Sequence, residues 1–175
     1  LQFGIENGRA PAVNYGPGVS KSLTAMRASF VSLKIKGRLR GCIGSVVAHQ
    51  ALLPDVVANA YKAGFGDPRF GPLTLEELEQ LDIEVSLLSF PRIMQFENEA
   101  DLVRQVRPDK DGLILQDQGR RGLFLPSVWQ GLPKAEDFIR QLKRKAGFEL
   151  DHWSDQLRVF RYTTETFSDT FRPAG

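Results

Sequence analysis

The chain has 175 residues, of which 42% are hydrophobic and 25% are charged, and its formal net charge is +2. These values fit a folded globular protein with a substantial core and exclude an intrinsically disordered chain. Basic and acidic residues alternate without a long block of one sign, so the composition does not predict a nucleic-acid-binding face. Cys42 is the only cysteine, which excludes an internal disulfide and suits a reducing compartment.

Signals for membranes and for export are missing from the sequence. No apolar run approaches the roughly 20 residues that a membrane-spanning helix requires, and residues 1–10 lack the layout of a signal peptide. We therefore predict a cytoplasmic protein without membrane contact and with a single domain over residues 1–175. Because the chain starts at Leu1 rather than at a methionine, we expect an N-terminal helix or a fused domain upstream.

The N-terminal part of the chain predicts a loop, a hairpin and a helix. Glycine and proline recur at close intervals over residues 4–17, which indicates the end of a helix followed by a loop. Apolar residues over 30–45, interrupted by the turn residues Lys36 and Gly37, predict a β-hairpin. Apolar residues at helical spacing over 53–63 predict an amphipathic helix.

The middle of the chain predicts two short helices and a strand. Thr74 and Glu77 have the spacing of a capping box for a short helix through Leu81. Apolar and polar residues alternate over 81–87, which is the period of a half-buried strand. Asn98 is suited to cap a further helix.

The C-terminal part predicts a second hairpin, a helix and a last strand. Residues 112–116 and 121–125 flank a turn sequence and are typical of a hairpin. A helix is predicted to open at Pro133 and to stop at Gly147. Residues 157–162 are predicted to form the final strand.

Residues 39–45, with the sequence LRGCIGS, carry the chemical character of the chain. Side chains on a strand alternate between its two faces, so one set is predicted to face the core and the other to face outward. The inward set is Leu39, Gly41 and Ile43, and the outward set is Arg40, Cys42 and Gly44. An arginine beside a cysteine on one face would stabilise the thiolate and make Cys42 reactive.

The two glycines of this segment indicate a ligand as well as a reactive thiol. Because they lack a Cβ, Gly41 and Gly44 let a ligand approach the backbone, whose amides can bind an anion or an oxyanion. The alternative is structural, with Cys42 as a small buried residue and the glycines as marks of a bulge or a close strand contact. The spacing of the residues leaves both interpretations open.

Several segments together resemble the AMMECR domain family. The cysteine segment at 39–45 is similar to the family signature, and further blocks follow in family order between residues 28 and 167. These blocks are DPRF at 67–70 with Pro72-Leu73, EVSLL at 84–88, GLIL at 112–115, Leu125-Pro126 and Arg161-Tyr162. The resemblance implies an α+β fold, mainly an antiparallel sheet flanked by helices, with a larger and a smaller lobe around a cleft near Cys42.

Three segments of bacterial type narrow this resemblance. RRG at 120–122, LPSVW at 125–129 and FIRQLK at 138–143 are similar to the protein A branch of the three-part AmmeMemoRadiSam system. That likeness implies a Memo-like protein and a radical SAM protein as partners, and it implies no particular reaction. The resemblance also favours a site at Cys42.

Asp67 and Arg69 are the residues that we expect to complete this site. Their opposite charges would orient a polar ligand beside Cys42. In the alternative interpretation they form an ion pair that only holds the loop after the preceding helix.

Other arrangements of reactive residues lack support in the sequence. Cys42, His49 and His152 have no metal-binding spacing, so we predict neither a metal nor another cofactor. His49 could serve Cys42 as a base, although a solvated loop residue is the simpler interpretation. The basic residues over 140–145 fit the C-terminal end of a helix better than a nucleic-acid site.

Three hypotheses for the function remain, and the sequence does not decide whether the chain is an enzyme. In the first, Cys42 is the nucleophile or redox thiol of an enzyme or enzyme accessory, and Arg40 stabilises its thiolate. Gly41 and Gly44 would then bind a small anionic ligand of unknown identity. In the second, the protein is a non-catalytic adaptor that docks a protein partner, and in the third it is an RNA-associated module.

Overall fold

A computed structural model describes residues 1–170, which divide into two units. The first unit contains Leu1–Leu88 and the C-terminal segment from Glu165, and the second contains Ser89–Thr164. Each unit has an antiparallel sheet with helices, so the α+β prediction is confirmed. No helix within residues 1–170 is long and apolar enough to cross a membrane.

Helices and strands are interleaved along the chain. The helices are α1 (Gln2–Asn7), α2 (Lys21–Thr24), α3 (Leu52–Phe65), α4 (Leu75–Leu78), α5 (Glu99–Gln105) and α6 (Ala135–Lys145), with a 3-10 helix at Pro126–Gln130. The strands are β1 (Ser29–Ile35), β2 (Arg38–Gly44), β3 (Leu81–Leu88), β4 (Arg92–Ile93), β5 (Gly112–Asp117), β6 (Arg120–Phe124), β7 (Arg158–Tyr162) and β8 (Thr164–Thr170).

The first unit is built on a four-stranded sheet with the order β2-β1-β3-β8. β1 and β2 form the predicted hairpin, whose two-residue turn has Lys36 at a φ of 51° and Gly37 at a φ of 75°. Positive φ angles at both positions match the twist of the flanking strands. β3 pairs with β1 on the other side, so β2 forms an edge of this sheet.

Helix α3 packs on one face of β1 and β2 and closes the core of the first unit. Pro54 lies in its first turn, where a missing amide proton costs no helical hydrogen bond, and Gly66 ends it. The fully enclosed residues of this core are Val31, Leu33, Ala63, Leu73, Leu78 and Leu81.

A buried carboxylate joins α3 to β1. Oδ2 of Asp55 accepts hydrogen bonds from the backbone N and the Oγ of Ser29, at 3.0 and 2.6 Å, and from Nδ2 of Asn59 at 3.0 Å. Asp55 is fully buried, and a buried charge is tolerated only when such donors surround it. The network therefore holds the helix at one position along the strand.

The second unit has a four-stranded sheet with the order β4-β7-β5-β6. β5 and β6 form the second predicted hairpin, with positive φ angles at Gln118 and Gly119. Oδ1 of Asn98 accepts the Asp101 N–H at 2.9 Å and caps α5 as predicted. The core of this unit includes Trp129, which stacks on a phenylalanine of α6 with ring centroids 3.8 Å apart.

Three elements differ from the sequence-based prediction. β7 is not the final strand, because β8 follows it after one residue and joins the sheet of the first unit. α4 ends at Leu78, since the chain extends into β3 from Leu81. α6 begins at Ala135, two residues after Pro133. α2 and β4 are too short to leave a periodic pattern in the sequence.

Candidate functional site

A β-bulge at Arg40 changes the direction of the side chains in the cysteine segment. Leu33 pairs with Gly41 and Lys34 pairs with Leu39, so Arg40 has no partner on β1. The extra residue shifts the alternation of β2 by one position. Leu39 consequently leaves the core face and is 43% exposed, so its prediction as an inward residue is wrong.

Arg40 binds a carboxylate of α4. Its Nε and Nη2 donate to the two oxygens of Glu77 at 2.7 and 2.8 Å, and Nη2 also donates to the carbonyl of Gly71 at 2.9 Å. The hydrogen bond between them raises the pKa of Arg40 and lowers the pKa of Glu77. The prediction that Arg40 and Cys42 are neighbours on one face of a regular strand is therefore wrong, because the bulge redirects Arg40.

Cys42 belongs to a row of polar side chains that crosses three strands. Ser32 of β1 pairs with Cys42 of β2 on one side and with Glu84 of β3 on the other. The hydroxyl of Ser32 donates a hydrogen bond to Sγ of Cys42 at 3.2 Å. Nζ of Lys34 donates to Oε2 of Glu84 at 2.9 Å. Cys42 itself is half-buried, and the Ser32 hydroxyl gives its sulfur a polar neighbour.

The backbone N–H groups of Cys42 and Gly44 point outward from the edge of the sheet that β2 forms. The N–H of Ser45 donates to the carbonyl of Ser29 at 3.1 Å, which places Cys42 and Gly44 at non-hydrogen-bonded positions of the antiparallel pair. Their N–H groups therefore point away from β1. Oδ2 of Asp67 accepts the N–H of Cys42 at 3.0 Å, so the loop after α3 caps the sheet edge at the cysteine.

Asp67 and Arg69 meet at the backbone of Cys42. Arg69 donates to both oxygens of Asp67, at 2.6 Å from Nη2 and 2.9 Å from Nε, and its Nη2 reaches the carbonyl of Cys42 at 3.4 Å. The hydrogen bonds from Arg69 hold the pKa of Asp67 well below its ordinary value despite burial. The ion pair of the alternative interpretation is thus present, and both of its members contact the backbone of Cys42.

Of the two arginines Arg40 and Arg69, Arg69 interacts electrostatically with Cys42. Its hydrogen bond with Asp67 raises the pKa of Arg69, and the negative charge of a Cys42 thiolate raises it further by a smaller amount. The side chain of Arg69 is 53% exposed, whereas that of Arg40 is 12% exposed. Arg69 can therefore reach a ligand from solvent, while Arg40 is enclosed beside Glu77.

Close packing accounts for the two glycines of the segment. A Cβ on Gly41 would overlap the carbonyl of Ala63 in α3, and a Cβ on Gly44 would overlap the ring of Phe30. Gly41 therefore serves the contact between strand and helix, and its position gives no support to a role in ligand binding. For Gly44, whose N–H points to the open edge, ligand binding stays a prediction.

Three further residues lie around the cysteine segment, and the sequence did not indicate any of them as part of a site: Ser32, Glu84 and Glu77. The turn alone sets a register in which Cys42 would oppose Val31, a core residue, and only the bulge brings it opposite Ser32. Glu77 was recognised as part of a capping box, and this local signal said nothing about its bond to β2. The alternating pattern of β3 did mark Glu84 as an outward residue.

The two histidines and Lys143 of the basic segment each lie next to a carboxylate away from Cys42. Nε2 of His49 lies 3.7 Å from Oδ1 of Asp55, and Nε2 of His152 lies 2.7 Å from Oδ2 of Asp117. Lys143 is fully buried and donates to a glutamate of α5, which removes it from any basic surface. Within residues 1–170, no three His, Cys, Asp or Glu side chains are grouped as metal ligands.

These features define a class of α+β protein with two antiparallel sheets and a half-buried cysteine on the polar face of an edge strand. Residues 4–167 match the AMMECR1 family, and the chain belongs to this family. The resemblance of the cysteine segment and its accompanying blocks to the AMMECR domain is therefore confirmed.

Relatives of this chain occur in archaea and bacteria. A protein of Methanothermobacter thermautotrophicus is 38% identical over 149 residues, which cover 82% of this chain and 76% of the relative. A protein of Thermotoga maritima is 36% identical over 141 residues, covering 79% of this chain and 76% of the relative. The fold is similar to the crystal structure of the uncharacterized protein PH0010 from Pyrococcus horikoshii, with a TM-score of 0.85, 28% identity and coverage of 96% of this chain and 85% of that chain.

Proposed function

We propose that this AMMECR1-family protein is an enzyme or enzyme accessory whose reactive group is the thiol of Cys42. The observation that carries the proposal is the hydrogen bond from Oγ of Ser32 to Sγ of the half-buried Cys42. A hydroxyl that donates to sulfur favours the thiolate over the thiol, and the thiolate is the nucleophile. A purely structural cysteine is typically enclosed by apolar side chains.

The charges around the sulfur support the same function, with Arg69 in the role first predicted for Arg40. Asp67 anchors Arg69 at the backbone of Cys42, and more than half of the Arg69 side chain is exposed. A guanidinium at this position stabilises a thiolate and binds an anionic substrate group. The N–H of Gly44 at the strand edge would supply a further donor.

Acyl transfer is a reaction that such a group can perform without a second cysteine. The sulfur of Cys42 would attack the carbonyl carbon of a thioester, so that a new C–S bond forms and the original C–S bond breaks. The departing thiolate takes up the proton that Cys42 released. With a disulfide as substrate, the same attack would give a mixed disulfide and release one thiol.

The rate of alkylation at neutral pH tests the proposal. Because Cys42 is the only cysteine, its rate of modification by iodoacetamide can be followed by mass spectrometry without interference. We expect the folded protein to react faster at pH 7 than the same chain unfolded in urea, because the groups around the sulfur favour the thiolate. Arg69→Gln should slow the reaction of the folded protein, because it removes the nearby positive charge. A folded protein that reacts no faster than the unfolded chain would contradict the proposal.

A matched control separates this local effect from a general change of surface charge. Arg92 is an exposed arginine on β4 of the second unit, so Arg92→Gln alters the net charge by the same amount. The rate of alkylation at pH 7 should be unchanged in this variant. An equal change of rate in both variants would assign no special role to Arg69.

The partners belong to the same proposal. The resemblance supports a Memo-like protein and a radical SAM protein as partners in the cytoplasm.

A non-catalytic adaptor is the second candidate function, favoured by the exposed Leu39 on the same sheet face as Cys42. Cys42→Ser separates the two, since an adaptor keeps partner binding and cellular function after this change, whereas the function of the enzyme or accessory is lost.

A further inference from the structure

The second unit has a groove apart from the cysteine site, and we propose that it binds a small molecule with a phosphate group. The groove lies where β5 turns into β6, beside the segment that leads into β7, and its volume is about 610 Å³. This is within the size range of small-molecule sites. Its charged lining residues are Asp117, Arg120, Arg121, Asp155 and Arg158.

Two arginines flank a glutamine across the sheet at this groove. Gln116 of β5 pairs with Arg121 of β6 and with Arg158 of β7. Paired residues on neighbouring strands project to the same face, so the three side chains form one row with the amide in the centre. Strands lie about 4.8 Å apart, so the two arginine backbones are about 10 Å apart and the long side chains can bind one group from both sides.

The two arginines of this row are free to bind an anion. Elsewhere Arg40, Arg69 and Arg107 each form an ion pair with a carboxylate of their own unit. Arg121 and Arg158 are exposed, and neither forms an ion pair within the part of the chain that the structure describes. An exposed, unpaired guanidinium in a concave site keeps its full capacity for an oxyanion.

Two neighbouring charges of the groove, those of Arg120 and Asp117, already have partners. Arg120 donates to the carbonyl of Gly147 and lies over a phenylalanine ring. Oδ2 of the buried Asp117 accepts hydrogen bonds from His152 and from a serine hydroxyl. Asp155 is the exposed carboxylate of the lining, and the positive charges of the row outnumber it. The row therefore favours an anionic ligand.

The number of donors indicates phosphate rather than carboxylate. A single arginine fork satisfies both oxygens of a carboxylate. A terminal phosphate has three oxygens and up to two negative charges, so it can use both guanidinium groups and the amide of Gln116 together. Two positive charges also balance a phosphate dianion.

Calorimetric titration of the full chain with pyrophosphate and with inorganic phosphate tests this site. We expect pyrophosphate to bind, and Arg121→Gln and Arg158→Gln each to weaken the binding by about tenfold or more, because each removes a charge-assisted contact. Arg121→Lys should recover part of the loss, since it keeps the charge without the fork. Arg92→Gln and Cys42→Ser should bind like the wild type, which makes this test independent of the cysteine site.

Results of three kinds would overturn the proposal. The first is the absence of binding at millimolar pyrophosphate, or an equal loss of binding in Arg92→Gln. The second is binding of citrate as tight as that of pyrophosphate, which would indicate a carboxylate ligand. The third is tight binding of a single-stranded RNA, far tighter than that of pyrophosphate, which is lost in Arg121→Gln and also in Arg158→Gln. This result would make the groove part of a nucleic-acid surface. Circular dichroism of each variant verifies that it is folded.

Discussion

The position of Cys42 depends on one extra residue in its strand. Without the bulge, the hairpin turn would place Cys42 opposite Val31, which is fully buried. With Arg40 as the extra residue, Cys42 lies opposite Ser32 on the polar face. The same irregularity directs Arg40 to Glu77, so it takes one cation away from the sulfur and gives the sulfur a hydroxyl partner. Bulges often redirect side chains next to functional sites.

The hydroxyl of Ser32 should therefore control the reactivity of Cys42. Ser32→Ala is expected to slow the alkylation of Cys42 at neutral pH by about fivefold, the effect of a hydrogen bond of about 1 kcal/mol that favours the thiolate. Ser86→Ala is the matched control, because Ser86 lies on the same sheet face and bonds to Thr166 instead. Rates that are the same in both variants would show that the contact has no influence on the thiol.

At the scale of elements, Glu77 has two tasks in the short helix α4. Its Oε2 accepts the N–H of Thr74 at 3.1 Å, while Oγ1 of Thr74 accepts the N–H of Glu77 at 3.3 Å, which completes the predicted capping box. The same carboxylate binds Arg40 of β2. A helix of a single turn is not stable in isolation, so this contact with the sheet stabilises α4.

Substitutions can separate the contribution of the capping box from that of the ion pair with Arg40. Thr74→Ala should lower the free energy of unfolding by about 1 kcal/mol through the loss of the cap. Glu77→Ala should cost more, about 3 kcal/mol, because it also leaves the enclosed guanidinium of Arg40 without its carboxylate. Urea denaturation measures both values. Glu79, an exposed residue at the end of α4, provides the control variant Glu79→Ala, whose stability should be nearly unchanged. A smaller loss in Glu77→Ala than in Thr74→Ala would contradict this account.

At the scale of the whole molecule, carboxylates with lowered pKa values occur in both units. The guanidinium of Arg69 lowers the pKa of Asp67, and the guanidinium of Arg40 lowers that of Glu77, both in the first unit. In the second unit burial opposes ionisation of Asp117, yet hydrogen bonds from His152 and a serine outweigh it and the pKa is lowered. A carboxylate with a lowered pKa stabilises the folded state above the pKa that it has in the unfolded chain.

Acid should therefore destabilise the protein. The ordinary pKa values are 3.8 for aspartate and 4.5 for glutamate, so the unfolded chain binds more protons than the folded one as the pH falls below these values. The free energy of unfolding should be nearly constant from about pH 5 to pH 7 and should decrease below about pH 4.5. Urea titrations at several pH values, followed by circular dichroism, measure this dependence.

Tryptophan fluorescence adds a probe for the second unit, because Trp129 and Trp153 both lie there. Asp117→Asn should reduce the acid dependence of the fluorescence transition, since its ionised carboxylate is one source of that dependence. Asp67→Asn, in the first unit, should reduce the acid dependence of the circular dichroism signal. Unfolding free energies that are equal at pH 3.5 and pH 6 would contradict the stabilising role of these carboxylates.

Features with a local physical cause were determined by the sequence itself. The turn at Lys36 and Gly37, the capping box at Thr74 and the cap at Asn98 each depend on residues no more than three positions apart. Helix α3 and the two hairpins follow from hydrophobic periodicity in the same way. The α+β class, the family and Cys42 as the candidate reactive residue could therefore be predicted from the sequence.

Only the tertiary structure decided which residues surround Cys42. The bond of Arg40 to Glu77 and the approach of the Asp67 loop to the strand edge join residues more than 20 positions apart, where no sequence periodicity applies. The pairing of β8 with β3, after the whole second unit, is of the same kind. The packing of the whole sheet and helix determines which of these contacts form. A single contact contributes too little free energy for its own two residues to determine it.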